Sequence, residues 1–188
     1  MKAEFPGFSA ARRVLVLGGA RSGKSRFAEA LAEADERSLL YIATGAGGDA
    51  EMAERIAHHR NRRGQRWTTI EEPVDLAGAL SAACGPERVV LVDCLTLWLT
   101  NLILAENEDA DARETAFLDA LAHASGPVVL VSNEVGLGIV PDNALARDFR
   151  DRAGRLNQWT ADICDAVYFI AAGLPLALKT PLEESEAP

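Results

Sequence analysis

Gly18-Gly19-Ala20-Arg21-Ser22-Gly23-Lys24-Ser25 sets a glycine, four residues and then Gly-Lys-Ser in the spacing of a phosphate-cradling loop. Its flanks fit that reading. RVLVL at 13–17 reads as a short buried strand, and residues 24–34 read as a helix. Glycine opens backbone conformations closed to other residues, so successive N–H groups can turn into one concavity. The helix that begins there adds its positive end. In such a loop Lys24 reaches the outer phosphates of a nucleoside triphosphate, and Ser25 offers a hydroxyl to Mg²⁺. The competing reading is a glycine-rich turn that matches by accident; a strand before it and a helix after it weigh against that.

Outward from this loop, strand and helix signals alternate. LLYIA (39–43), WTTI (67–70), RVVLVD (88–93), PVVLVS (127–132) and AVYFI (166–170) read as strands, and LAL (176–178) as a short edge strand after a turn at 173–175. Helical spacing predicts helices near 50–62 (with Asp49 as its cap), 74–83, 95–105, 111–124 and 144–164. Strands that are continuous apolar runs, each followed by a helix, predict a mostly parallel sheet covered on both faces. The expectation is a single P-loop NTPase-like α/β domain over residues 1–188, with a loose leader at 1–12 and an acidic tail at 181–188. Ligands are then expected at the carboxyl ends of the strands.

Composition narrows the function. A length of 188 residues suits one domain with a sizeable core, and 48% hydrophobic with 25% charged residues is an ordinary globular balance. The net charge of −9 argues against affinity built on a nucleic-acid backbone, which calls for a basic face. A local anion site is still allowed. Three scattered cysteines form no C-x-x-C pair, so neither a zinc site nor a disulfide framework is implied, and a cytoplasmic setting is expected. No apolar run is long enough for membrane insertion, and the first residues lack the apolar core of a signal peptide.

Several residues outside the loop are candidates for chemistry. Asp93 ends a buried strand well downstream of the loop, where a carboxylate can hold Mg²⁺ together with the loop hydroxyl. The alternative is a cap for the helix that starts at Cys94-Leu95. His58 and His59 lie among Arg55, Arg60, Arg62 and Arg63. Neighbouring positive charge favours neutral imidazole, the form able to attack phosphorus. A solvated polar face explains the same residues, and adjacent positions lie about 100° apart on a helix, so only one of the two could face a given site. Glu71 and Glu72 precede a proline and read either as ribose or base contacts or as simple loop acids. The almost uniformly apolar segment 95–104 reads as core, as a subunit interface or as a wall for a bulky apolar substrate. The loop 133–141, with two glycines, should lie on the ligand-binding edge.

Taken in order, GGARSGKSRFAEAL, YIAT, EMAERIAHHR, WTTIEEP, VDCLTLWLTNL, SNEVGLGIVP and RDFRDRAGRLNQ span residues 14–180 nearly end to end. This ordered set resembles the bifunctional adenosylcobinamide kinase/adenosylcobinamide-phosphate guanylyltransferase family of cobalamin biosynthesis. The resemblance implies two reactions. ATP or GTP phosphorylates the hydroxyl arm of adenosylcobinamide, and GMP then passes from GTP to adenosylcobinamide phosphate through a GMP-histidine intermediate, giving adenosylcobinamide-GDP and pyrophosphate. The family's Arg-Ile-x-x-His pattern lands on His59. Nucleotide contacts carry over to Gly18, Gly19, Ala20, Arg21, Ser22, Gly23, Lys24 and Ser25, to Arg60, Asn61, Arg62 and Arg63, to Glu71 and to Asp93. GTP, ATP and Mg²⁺ are the implied nucleotides and ion, with adenosylcobinamide and its phosphate as substrates and a homotrimer as the expected assembly. No N-K-x-D motif occurs, so guanine is read in some other way. A monofunctional small-molecule kinase, with solvated histidines, is the alternative; a nucleotide-gated binding switch is a third reading.

Overall fold

The computed structural model describes residues 7–9, 11–45, 64, 66–105 and 108–181. In chain order the elements are β1 (Arg13–Gly18), α1 (Lys24–Glu33), β2 (Ser38–Ala43), β3 (Trp67–Glu71), α2 (Leu76–Ala83), β4 (Arg88–Asp93), α3 (Leu95–Leu104), α4 (Ala110–Ala122), β5 (Val128–Asn133), α5 (Ala144–Ile163), β6 (Ala166–Ala171) and β7 (Leu174–Lys179). The strands form one seven-stranded sheet in the order β3-β2-β4-β5-β1-β6-β7. All neighbours run parallel except β6 and β7. The α/β expectation holds, and helices cover both faces.

The alternation of side chains along each strand divides the core in two. Leu15, Leu40, Ile42, Val90, Val92, Val128 and Leu130 face one side, where they pack with Leu80 of α2, Trp98 and Leu99 of α3, Phe117 of α4 and Leu156 of α5. Val14, Val16, Leu39, Tyr41, Val89, Leu91, Val129 and Val131 face the other, against Ala28 and Leu31 of α1. Central strands need apolar residues on both faces, which is why β4 and β5 read as unbroken runs. Trp98 and Phe117 meet with ring centroids 5.2 Å apart. On the outer surface Arg152 of α5 grips the buried Glu114 of α4 at 2.7 Å and also Asp111, tying those helices together.

Two expectations need correction. The leader is not loose throughout, because Phe8 and Ala11 are buried in the cluster on the α1 face. An aromatic side chain and a small one close the end of that layer beside Val14. The last strand is also longer than residues 176–178. It runs Leu174–Lys179 and takes in Pro175, with the turn drawn back to Ala172 and Gly173, both at positive φ. As an edge strand it tolerates the missing proline N–H. The helix expected at 50–62 lies outside the described residues.

The order of strands decides where chemistry can happen. β5 separates β1 from β4, so the glycine loop after β1 and Asp93 at the end of β4 flank the strand between them. Helix α1 packs across β1, β5 and β4 together. Its first turn therefore lies over the carboxyl edge of the sheet, on the face to which Asp93 points.

Candidate functional site

β1 delivers the chain to the glycine loop, and the loop has little room for side chains. A Cβ on Gly18 would come 2.6 Å from the carbonyl oxygen of Ile170 and 2.6 Å from Ser22 Oγ. Gly23 is the N-cap of α1 at φ 99°, and a Cβ there would press on Gly173. The β6–β7 turn braces the loop from outside, with the Gly173 N–H donating to the Ser22 carbonyl at 2.8 Å. Lys24 is buried, and its Nζ donates to the Gly19 carbonyl at 3.1 Å, which folds the ammonium over the cradle. No side chain caps the start of α1, and its first turn holds no acid. Ser22 Oγ is buried without a hydrogen-bond partner among the described residues. Uncapped N–H groups, an orphaned hydroxyl and an inward lysine together fit an anion of phosphate chemistry.

The other half of the edge centres on Asp93. Tyr41, in the neighbouring β2, donates its hydroxyl to Asp93 Oδ2 at 3.0 Å, and its ring meets Trp67 of β3 edge-on at 6.2 Å. The capping alternative for Asp93 is not what the structure holds: the N-cap of α3 is Cys94, with no side-chain cap. Thr44 clasps that residue from both sides. Its Oγ1 donates to the Cys94 carbonyl and accepts from the Cys94 N–H, each at 2.8 Å. Burial pushes the Cys94 thiol up to about 11, and the charge of Asp93 adds to this. The Thr96 hydroxyl, the Leu97 N–H and the charge of Lys24 pull the other way. Lys24 and Asp93 thus act on one thiol from opposite halves of the edge.

Helix α3 places most of residues 95–104 in the core and leaves Leu104 exposed. Leu95, Trp98, Leu99 and Leu102 are core. Its polar residues staple the loops beyond three strands. Asn101 Nδ2 donates to the Thr44 carbonyl at 2.7 Å and the Pro73 carbonyl at 3.0 Å. Trp98 Nε1 donates to the Val74 carbonyl at 2.9 Å, and Thr96 Oγ1 accepts from Asn133 Nδ2 at 2.6 Å. Sequence reasoning missed Tyr41, Thr44, Thr96 and Asn101, and placed Asn133 only as the start of a loop on the ligand-binding edge. The only signal for the helix residues was polar atoms interrupting an apolar run.

The remaining candidates divide. His58, His59, Arg60, Asn61, Arg62 and Arg63 lie outside the described residues. Glu71 ends β3 and is exposed, two strands away from β4. Glu72 is a turn residue, its Oε1 accepting from the N–H groups of Val74 and Asp75 at 2.9 and 2.7 Å. A cleft of about 380 Å³ between α2 and α4 contains none of the candidates. Among the described residues no three His, Cys, Asp or Glu side chains cluster as a metal site. Ser25 and Asp93 supply only hard oxygen donors, which suits a Mg²⁺ ion that completes its shell with phosphate oxygens and water.

A glycine cradle closing on a buried lysine at a helix N-terminus, with a carboxylate one strand removed, defines a P-loop nucleotide-binding protein. Solved structures agree on the fold. One is the flagellar accessory protein FlaH of Methanocaldococcus jannaschii, at 11% identity and TM-score 0.50, covering 91% of this chain and 79% of that one. Another is an ATPase of a bacterial type III secretion system, at 12% identity and TM-score 0.50, covering 88% of this chain and 56% of that one. At such identities the likeness speaks for fold alone. The family model for cobinamide kinase/cobinamide phosphate guanyltransferase matches residues 14–178, and the chain belongs to that family. It is 51% identical over 168 residues to the bifunctional adenosylcobalamin biosynthesis protein CobP of Pseudomonas aeruginosa, covering 89% of this chain and 97% of the relative. It is 44% identical over 180 residues to the corresponding CobU of Salmonella typhimurium, covering 88% and 99%. No helix among the described residues is long and apolar enough to cross a membrane.

Proposed function

We infer that this protein is a bifunctional enzyme of cobalamin biosynthesis that phosphorylates adenosylcobinamide and then transfers GMP to the resulting phosphate. The observation that carries the reading is the glycine cradle with the inward Lys24, set in a chain that matches the family from residue 14 to residue 178. A single kinase activity is the weaker reading, because the CobP and CobU relatives are named as bifunctional.

In the kinase step the substrate hydroxyl oxygen bonds to the γ-phosphorus of ATP or GTP and gives up its proton to solvent, while the nucleoside diphosphate leaves with the electrons of the broken P–O bond. The chain contributes position and charge. Main-chain N–H groups between Gly19 and Ser25, apart from that of Ser22, which donates to the Gly19 carbonyl, hold the phosphates, and Lys24 exchanges the same carbonyl for phosphate oxygens as charge develops on them. Ser25 and Asp93 would hold Mg²⁺, which supplies neutralisation of the phosphate charge when bound. Tyr41 keeps one Asp93 oxygen engaged, which fixes the carboxylate plane.

In the transferase step we assign the nucleophile to His59. Its neutral imidazole nitrogen bonds to the α-phosphorus of GTP, and pyrophosphate leaves. A phosphate oxygen of adenosylcobinamide phosphate then attacks the same phosphorus, the P–N bond breaks, and the imidazole is restored. Two displacements let pyrophosphate depart before the corrinoid arrives. The arginines at 60, 62 and 63, with Asn61 and Glu71, belong to the nucleotide contacts in this reading. A homotrimer working in the cytoplasm completes it, and light scattering measures the assembly.

Incubation with α-labelled GTP tests the assignment. Acid-labile label should remain on the denatured wild-type chain and disappear in His59→Ala, while that variant still phosphorylates adenosylcobinamide. Label that persists in His59→Ala and vanishes in His58→Ala would transfer the role to His58. No label on the wild type would leave a kinase alone.

A further inference from the structure

We propose that the loop between β5 and α5 is the platform for the corrin ring of the substrate, with Leu137, Ile139 and Val140 as its apolar contacts and Leu145 at the start of α5 extending it. The proposal rests on the corrinoid reading above and names the surface that would carry it out. Leu137 is 83% exposed, Ile139 98%, Val140 60% and Leu145 57%. Contiguous apolar side chains held out into water mark a binding surface more often than scattered single residues do.

The loop is held in this presentation at both ends. At its start, the Glu134 N–H donates to the Gly18 carbonyl at 3.0 Å, and Glu134 Oε1 accepts from the Gly136 N–H. At its end, Arg147 Nη1 donates to the carbonyls of Pro141 and Asp142 at 2.9 and 2.8 Å, and Asn143 caps α5 by accepting from the Ala146 N–H at 2.7 Å. Only the middle projects.

Position selects the occupant. Asn133, the last residue of β5, pairs in register with Gly18, the residue that opens the phosphate cradle. A substrate that presents a hydroxyl or phosphate arm to that cradle must place the rest of its bulk beside it. The bulk here is a corrin macrocycle that carries ring methyl groups among its amide side chains, and residues 135–141 offer those methyl groups an uncharged, largely aliphatic surface. Leu174 starts β7 at the carboxyl edge beside Ala171, whereas Leu176 and Leu178, also exposed, follow β7 away from that edge of the sheet. Those two are the wrong surface for a ligand anchored at the cradle.

The test uses a Leu137→Ser/Ile139→Ser double variant, whose exposed positions leave the core intact, beside Leu137→Met/Ile139→Met. Adenosylcobinamide binding is followed by its visible absorbance, and kinase KM values are measured for corrinoid and nucleotide separately. The serine variant should raise the Kd and KM for adenosylcobinamide at least tenfold, keep the nucleotide KM within twofold, and take GMP label from GTP as the wild type does. The methionine variant should restore corrinoid affinity. Unchanged corrinoid affinity in the serine variant overturns the platform and leaves the enzyme reading standing, and a change in assembly mass alone would give the loop to a second copy of the chain. A wild-type protein that binds no adenosylcobinamide removes the enzyme reading, and the platform with it.

Discussion

The two halves of the carboxyl edge are built by different means. Beyond β1 the loop is made of main chain: glycines at 18 and 23 let it pass against Ile170 and Gly173, and the Gly173 N–H holds it from outside. Beyond β4 the chain is held by side chains, with Tyr41 on Asp93, Thr44 on Cys94 and Thr96 on Asn133. A cradle of backbone N–H groups fails completely when one Cβ intrudes. A set of separate side-chain hydrogen bonds loses one contribution at a time. Substitutions in the first half should therefore act on nucleotide binding and turnover, and those in the second should grade the response.

The largest effect is expected from Lys24→Ala. The side chain ends on the Gly19 carbonyl at the loop itself, so its loss should leave the fold intact. Phosphoryl transfer should fall by about two to three orders of magnitude, the scale of removing one preorganised charge-stabilising donor. Turnover with adenosylcobinamide, read beside the far-ultraviolet circular dichroism, measures both. Near-normal turnover would take the cradle out of the mechanism.

Gly18→Ala comes next. Its Cβ would meet main chain, the Ile170 carbonyl at 2.6 Å, so either β1 or β6 must shift. A cost of about 2 kcal/mol is expected, in the range of overpacked sites. Because the shift runs through the loop, nucleotide affinity should fall with stability. Urea melts with and without nucleotide separate the two losses. If Gly18→Ala weakens the fold but binds nucleotide normally, the main-chain half is more forgiving than the contrast claims.

This contrast also accounts for what was legible in the sequence. Gly18, Gly23, Lys24 and Ser25 sit within eight residues of one another, and a backbone cradle demands those types at that spacing, so the loop could be read directly. β4 and β5 were readable because strands buried on both faces admit almost only apolar residues. The bond from Tyr41 to Asp93 spans 52 positions and that from Thr44 to Cys94 spans 50. Nothing local in YIAT or VDCLTL says that they touch, since only the parallel register of β2 and β4 brings them together. Phe8 and Ala11 are hidden for a related reason: one aromatic side chain and one small one in a short segment set up no periodicity. Pro175 pointed to a turn because an edge position is not visible before the sheet order is known.

The side-chain half has its own pH signature. The buried Cys94 thiol is held up to about 11 against an ordinary value of 9.0. The folded state therefore keeps its proton where the unfolded chain has lost it. That contribution is fully present below pH 9 and drains away as pH rises from 9 towards 11. At pH 10 it has cost the wild type on the order of 1 kcal/mol relative to pH 8, about one pKa unit's worth. Cys84 and Cys164, raised to about 11 and 12, slope in the same direction, so the useful quantity is a difference. The urea midpoint of Cys94→Ala should fall less steeply than that of wild type between pH 8 and 10. Parallel slopes would mean that water reaches the thiol.

Tyr41→Phe should give the smallest effect and the sharpest division between the halves. The ring stays packed beside Trp67 and only the hydroxyl is lost, so stability should drop by about 1 kcal/mol, the net value of one hydrogen bond. Asp93 Oδ2 loses its donor at 3.0 Å, one of the contacts that orient the carboxylate. If Asp93 holds Mg²⁺, the ion concentration for half-maximal binding of a fluorescent guanine nucleotide should rise severalfold, while binding without Mg²⁺ stays unchanged because the cradle is untouched. Asp93→Asn should abolish the Mg²⁺ response by the same readout, with the Tyr41 hydroxyl still able to donate to its side-chain oxygen. A Tyr41→Phe variant with an unaltered Mg²⁺ response would confine Tyr41 to packing. A loss of binding even without Mg²⁺ would show that the two halves are one cooperative unit, with β2 transmitting strain through β4 and β5 to the loop.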